Sequence, residues 1–457
     1  MWEAGPEPDT IVARATAAGV GAVAVVRLSG PGVFGILREI ASDLIDPPPA
    51  RRATVARIHG PGGGAVLDQA VVTCFPGPAS YTGEDVVEIS GHGGWWAPAL
   101  ILDACVAAGA RRAEPGEFTR RAYLNGKVDL IQAEAILDLV EGRSRALHDR
   151  ALHQLERGLS GRIVEVRERL VDLEALLVHH IDFPEEDDPP IPAEQIVAEA
   201  GALAGLLATL LDTAPEGELL REGALTVLAG RPNSGKSSLF NALLGEERAI
   251  VTPEAGTTRD AIEAVVSMGG YPFRLVDTAG LRSAEEPVER RGVEVAHRYV
   301  ERADLILFCS EAGRALTPEE ERFVDTVAAP VVRVLTKSDL QPAAPGGPQD
   351  AHASVAASIV TGEGLGRLRE ALPAMVYRGL ARLPEDSPVL TRERQRTAVA
   401  RAHGEVRAFA ESLEGGTPAE IAATHLRPAE TALEEVLGVI VPEEILDRVF
   451  EQFCIGK

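Results

Sequence analysis

Residues 230–237 read Gly230-Arg231-Pro232-Asn233-Ser234-Gly235-Lys236-Ser237. This is the spacing G-x-x-x-x-G-K-[ST]. Its glycines let successive backbone N–H groups wrap phosphate oxygens. Residues Asn233, Ser234, Gly235, Lys236, Ser237 and Ser238 form the phosphate-cradling set. Lys236 is placed to reach the β- and γ-phosphates, and the Ser237 hydroxyl to ligate Mg²⁺. An apolar strand precedes the loop and a helix follows it, the context this chemistry requires.

Downstream motifs complete a nucleotide site. Gly256-Thr257-Thr258 lies in a loop where a switch threonine would complete a Mg²⁺ shell. A strand ends at Asp277, followed by Thr278, Ala279 and Gly280, with Gly280 free to turn toward the γ-phosphate. Thr336-Lys337-Ser338-Asp339 closes another strand. The Asp339 carboxylate can accept two N–H donors from guanine, and adenine presents no such pair, so the expected nucleotide is GTP. Ser358, Ile359 and Val360 form the expected last base-contacting loop. The usual fourth motif is N-K-x-D, so Thr336 is a departure, and some loss of affinity is expected. Leu281 stands where Ras-like switches carry a water-orienting Gln. Asn233 has two readings, a loop residue making an Asx turn or an amide oxygen for K⁺.

These residues need elements to hold them. Residues 1–125 alternate short β-like runs (22–28, 70–75, 85–89) with Gly/Pro turns, and 97–108 has helical spacing. From residue 128 to 180 the pattern is helical, with Ala133, Ile136, Leu137 and Val140 on one face, and Val164, Leu170, Leu173 and Leu177 on another. Another helix is expected near 193–211, and a strand opens at Ala224. After about residue 382 the chain is helical again. The expected architecture is multidomain: an α/β domain (1–125), a helical domain in two parts (126–219 and 381–457), and a nucleotide domain (220–380) inserted between them.

Composition narrows the class. The chain has 457 residues, four scattered cysteines and a net charge of −24. That charge disfavours a nonspecific nucleic-acid coat. No apolar run is expected to span a membrane, no metal-type Cys spacing occurs, and a cytoplasmic location is expected. Of 45 basic residues only four are lysine: Lys127, Lys236, Lys337 and Lys457. Two lie in nucleotide motifs, which draws attention to Lys127 and Lys457.

Motifs along the whole chain resemble the MnmE (TrmE) family of tRNA modification GTPases. They include Asp9-Thr10-Ile11-Val12-Ala13-Arg14, Tyr81-Thr82-Gly83-Glu84-Asp85, Gly91-His92-Gly93-Gly94, Pro115-Gly116-Glu117-Phe118-Thr119-Arg120-Arg121-Ala122, the segment from Leu124 to Ala135, and the closing Phe453-Cys454-Ile455-Gly456-Lys457. The resemblance implies an N-terminal α/β domain that dimerises and binds folate, a discontinuous helical domain and an inserted Ras-like G domain. It implies a K⁺-activated GTPase that works as a homodimer with the FAD enzyme MnmG. Together they would add a carboxymethylaminomethyl or aminomethyl group at C5 of wobble uridine 34 in certain tRNAs, from a 5-formyl- or methylene-tetrahydrofolate donor.

Residue by residue, the resemblance assigns Asn233, the backbones of Thr252 and Glu254, and Thr257 to K⁺. It gives Ser237 and Thr258 to Mg²⁺. Glu289 orients the attacking water, in place of the missing Gln. Arg27, Glu88, Lys127 and Lys457 fall to folate, where an acid suits the pterin N–H donors and cations suit the glutamate tail. Cys454 keeps two readings, a nucleophile or a small packed residue. His92, His179 and His180 lack partners at metal spacing. Two other classes compete: a ribosome-assembly GTPase of the Era/EngA type, which would need a KH-like module that is not evident after the G domain, and a folate-dependent methyltransferase with a merely regulatory GTPase.

Overall fold

The computed structural model describes residues 9–45, 48–60, 62–182, 192–246, 262–277, 289–341 and 353–457. The chain divides into two compact units, 1–137 with 437–457, and 138–436.

The first unit is built on a six-stranded sheet. Its strands are β1 (Ile11–Arg14), β2 (Val23–Ser29), β3 (Thr54–His59), β4 (Val66–Phe75), β5 (Val86–His92) and β6 (Arg111–Arg112), in the order β3-β4-β5-β2-β1-β6. Only β1 and β6 run parallel. The alternation of β2 points Val26 and Leu28 at helices Val33–Ile40 and Trp96–Ala107. It turns Arg27 to the opposite face, directly across from Glu88 of β5. The final twenty-odd residues fold back on this unit, with helix Glu443–Phe450 beside helix Glu117–Leu124. Gly456 then passes so close to β1 that a Cβ would collide with the Arg14 carbonyl.

The second unit holds another six-stranded sheet. Its strands are β7 (Ala224–Ala229), β8 (Ile262–Met268), β9 (Tyr271–Asp277), β10 (Leu305–Glu311), β11 (Val331–Thr336) and β12 (Ala353–Ala356), in the order β12-β11-β10-β7-β9-β8. All neighbours are parallel except β8 and β9. Every residue of β7 is buried, as expected of a strand covered on both faces.

Helices flank this sheet in the chain. Gly158–Asp182 and Ala193–Leu211 precede it, and Glu393–Glu414 and Leu426–Leu437 follow it. The two sets pack together. Glu393–Glu414 lies along Ala193–Leu211, and Arg167 pairs with both Glu430 and Glu434 at 2.8 Å. The buried stripe of Gly158–Asp182 runs Ile163, Val166, Leu170, Leu173, Leu177. Its spacings of three and four leave Val164 exposed, contrary to the sequence expectation; Val140 is exposed too, at the end of a helix whose residues 130–138 are buried on every side. An 18-residue stretch within residues 193–222 is apolar enough to pass for a span, with a mean hydropathy of 1.5, against the expectation that none would. Their periodic Ile196, Leu203, Leu207 and Leu210 are buried in the helical packing.

Candidate functional site

The phosphate loop leaves β7 at Gly230, whose φ of +133° and closeness to the Cys309 carbonyl exclude a side chain. Asn233 (φ 64°) and Gly235 (φ 89°) also adopt left-handed backbone. The chain then enters helix Lys236–Glu246, with Ser237 and Ser238 exposed on its first turn. Lys236 is buried and donates to the carbonyls of Gly230 (3.0 Å) and Arg231 (2.6 Å). Its ammonium therefore stands inside the loop it serves. Asp277, at the end of β9, is buried in register with Leu228 of β7. The loop geometry, the lysine and the open first helical turn suit a nucleotide triphosphate and its Mg²⁺.

Two further loops converge here. Thr336, the last residue of β11, is buried, and its hydroxyl lies 2.8 Å from the Ser234 carbonyl and 3.2 Å from the Ser310 carbonyl. A threonine can thus hold the phosphate loop where the usual motif has an amide. Ser358 Oγ donates to Asp339 Oδ1 at 2.7 Å and accepts from the Thr361 N–H at 3.2 Å. That hydroxyl holds the Asp339 carboxylate in place. Lys337, at φ 56°, pairs with Glu311. Val360 is exposed and Ile359 half-buried at the same rim. Burial pushes the Cys309 thiol up to about 12, so the cysteine beneath the loop is inert.

Thr252, Glu254, Gly256, Thr257, Thr258, Thr278, Ala279 and Gly280 lie outside the described residues, as does the Glu289 side chain; Glu289 itself begins helix Glu289–Arg302.

In the first unit, Arg27 Nε and Nη2 both meet Glu88 Oε1, at 2.9 and 2.8 Å. The guanidinium lies 5.4 Å from the Tyr81 ring and 5.8 Å from that of Phe118. The closing segment runs alongside. Phe118 N–H donates to the Lys457 carbonyl (3.2 Å), and Arg27 Nη1 reaches the Gly456 carbonyl (3.4 Å). Burial, and then the Arg27 charge, lower the Lys457 pKa. Arg27, Glu88 and Lys457 are thus brought together. Lys127 lies against the 78–83 loop, donating to the Pro78 carbonyl at 3.0 Å. Cys454 is exposed, unlike Cys74, Cys105 and Cys309. His92 pairs with Asp68 at 2.7 Å, and no cluster of three metal-ligating side chains occurs among the described residues.

Sequence reasoning missed a set of positioning residues. Arg111 and Arg121 share Asp9 (2.6 Å each) and Glu117 (2.7 and 2.9 Å), and Arg121 also reaches Glu84. The signal was present: Glu117 and Arg121 stand four apart on a helix, but Asp9, which both arginines share, lies over a hundred residues away.

Comparison with known proteins agrees with this anatomy. A family model described as the MnmE helical domain matches residues 130–454, and one described as the GTP-binding protein TrmE N-terminus matches residues 10–127. The chain belongs to the MnmE family. A tRNA modification GTPase MnmE of Geobacter metallireducens is 40% identical over 98% of this chain and 99% of its own. The proteins of that name from Akkermansia muciniphila and Symbiobacterium thermophilum are 41% and 42% identical over 98% of this chain and 99% of their own. Family membership makes the chain a GTP hydrolase acting in tRNA modification.

Proposed function

We propose that this protein is a K⁺-activated GTPase that works as a homodimer with an MnmG-type FAD enzyme. Together they would install a carboxymethylaminomethyl or aminomethyl group at C5 of the wobble uridine of certain tRNAs, with tetrahydrofolate supplying the one-carbon unit. The observation that carries the reading is that the closing Phe-Cys-Ile-Gly-Lys segment lies against the Arg27–Glu88 pair. Glu88 Oε2 accepts no hydrogen bond among the described residues and suits a pterin's N–H donors. Lys457, and Lys127 beside the 78–83 loop, suit a folate's carboxylates.

In the second unit, Lys236 and the backbone N–H groups of the loop hold phosphates, Asp339 reads guanine, and Ser237 with Thr258 would hold Mg²⁺, which when bound neutralises developing phosphate charge. Asn233, Thr252, Glu254 and Thr257 are the proposed K⁺ set, and Glu289 the residue that orients water. The domain limits 125, 219 and 380 belong to the same proposal, as does a cytoplasmic location.

Hydrolysis measured in K⁺ and in Na⁺ tests the first step. Stimulation by K⁺ that is lost in Glu289→Ala and Asn233→Ala supports it; equal rates in both salts overturn it.

A further inference from the structure

The second unit contains a small cavity of about 220 Å³, away from the nucleotide loop. Its walls are the first turn of helix Arg145–Leu155, the Gly269-Gly270 turn between β8 and β9, Tyr271, Leu220 and Arg150. Arg150 is only 9% exposed. Its Nη1 donates to the carbonyls of Pro384, Glu385 and Ser387, at 3.0, 2.7 and 2.9 Å. No carboxylate pairs with it, and its Nε and Nη2 have no acceptor among the described residues. Arg150 is one of the residues lining the cavity.

A guanidinium taken out of water normally has a counter-charge, because carbonyl dipoles offset only part of its desolvation. Burial lowers the Arg150 pKa even with Glu385, Asp386 and Asp149 nearby. The helix N-terminus adds partial positive charge to the same space. At the mouth, Arg145 is 84% exposed and engages Asp149 at 3.3 Å, and Glu385 is exposed. The acids therefore stand at the rim while the buried end is cationic. Pockets for drug-sized ligands begin near 300 Å³, so the space suits a small ion with a few waters.

We propose that this cavity is a binding site for a small oxyanion of the phosphate class, held by Arg150 and Arg145. It would be distinct from the nucleotide site. The ion would rest against Tyr271, where β9 begins, and β9 ends in Asp277. Binding there would therefore stiffen the strand that carries an acid of the nucleotide site.

The test is thermal unfolding of the full chain as inorganic phosphate replaces chloride at constant ionic strength. A rise in Tm on the order of 2–4 °C near saturation is expected. Because phosphate can also enter the nucleotide loop, three variants separate the sites. The rise should persist in Lys236→Ala. It should vanish in Arg145→Glu, an exposed change, and in Ala146→Met, which fills the cavity and leaves Arg150 in place. Absence of a rise, its loss with Lys236, or its survival in either cavity variant overturns the proposal.

Discussion

Thr336 Oγ1 donates to the carbonyl of Ser234 at 2.8 Å, so the end of β11 holds the floor of the phosphate loop. The proposed base-reading and phosphate-binding parts of the site are therefore one connected structure. Thr336→Val keeps the shape and leaves a buried carbonyl unsatisfied, at a cost of about 1–3 kcal/mol. GTP and GDP affinity should both fall about tenfold or more by calorimetry. Thr336→Ser, which keeps the hydroxyl, should lose much less.

On the proposed function, Asp339 sets the base. Its carboxylate accepts donors that guanine has, whereas xanthine presents a carbonyl at C2. Asp339→Asn should weaken GTP binding by about 2–4 kcal/mol and shift preference toward the xanthine nucleotide. Ser358→Ala, which frees the carboxylate from its 2.7 Å partner, should weaken GTP without that shift. Competition binding with both nucleotides checks each outcome.

Tyr377 carries stability. Its buried hydroxyl accepts from the Ala224 N–H (3.1 Å) and reaches the carbonyls of Pro272 (2.6 Å) and Leu219 (3.1 Å). Those groups lie at the starts of β7 and β9 and in helix Ala214–Glu222. Tyr377→Phe should cost about 1–3 kcal/mol and lower Tm by a few degrees.

The acid network around Arg111 and Arg121 gives the first unit a pH dependence. Burial pushes the Glu117 carboxyl up, but bonds from Arg111, the Glu114 N–H and Arg121 hold it below its ordinary value. Bonding to Arg111 chiefly lowers Asp9. With folded pKa values depressed, the stabilisation is complete above the unfolded values near pH ~4 and is lost as pH falls through the folded ones. Unfolding followed from pH 7 to 2 should show this loss, and Glu117→Gln should flatten it.

Much of this was legible because its signals are local. The 230–237 loop, the buried run of β7 and the strand ending at Asp277 declare themselves through spacing alone. The discontinuous helical packing was readable from two helical blocks around one insertion. Contacts between distant segments were not. Arg27 reads as an ordinary strand residue until β2 pairs with β5 and sets Glu88 opposite. The lock by Thr336 depends on how closely β11 approaches the loop, which no periodicity reports. Val164 was misplaced because an apolar residue one position off a helical stripe still looks periodic over a short window, and Val140 because periodicity does not report where a helix buried on every side emerges at its end.

The central claim is that the nucleotide unit and the Arg27–Glu88 unit serve one reaction on tRNA. Mass spectrometry of wobble nucleosides, in tRNA from cells expressing the protein, lacking it, or carrying Lys236→Ala or Glu88→Ala, tests it most directly. The account predicts C5-substituted uridine with the intact protein and unsubstituted uridine in the other three. Full modification without the protein, or with Glu88→Ala, would contradict it.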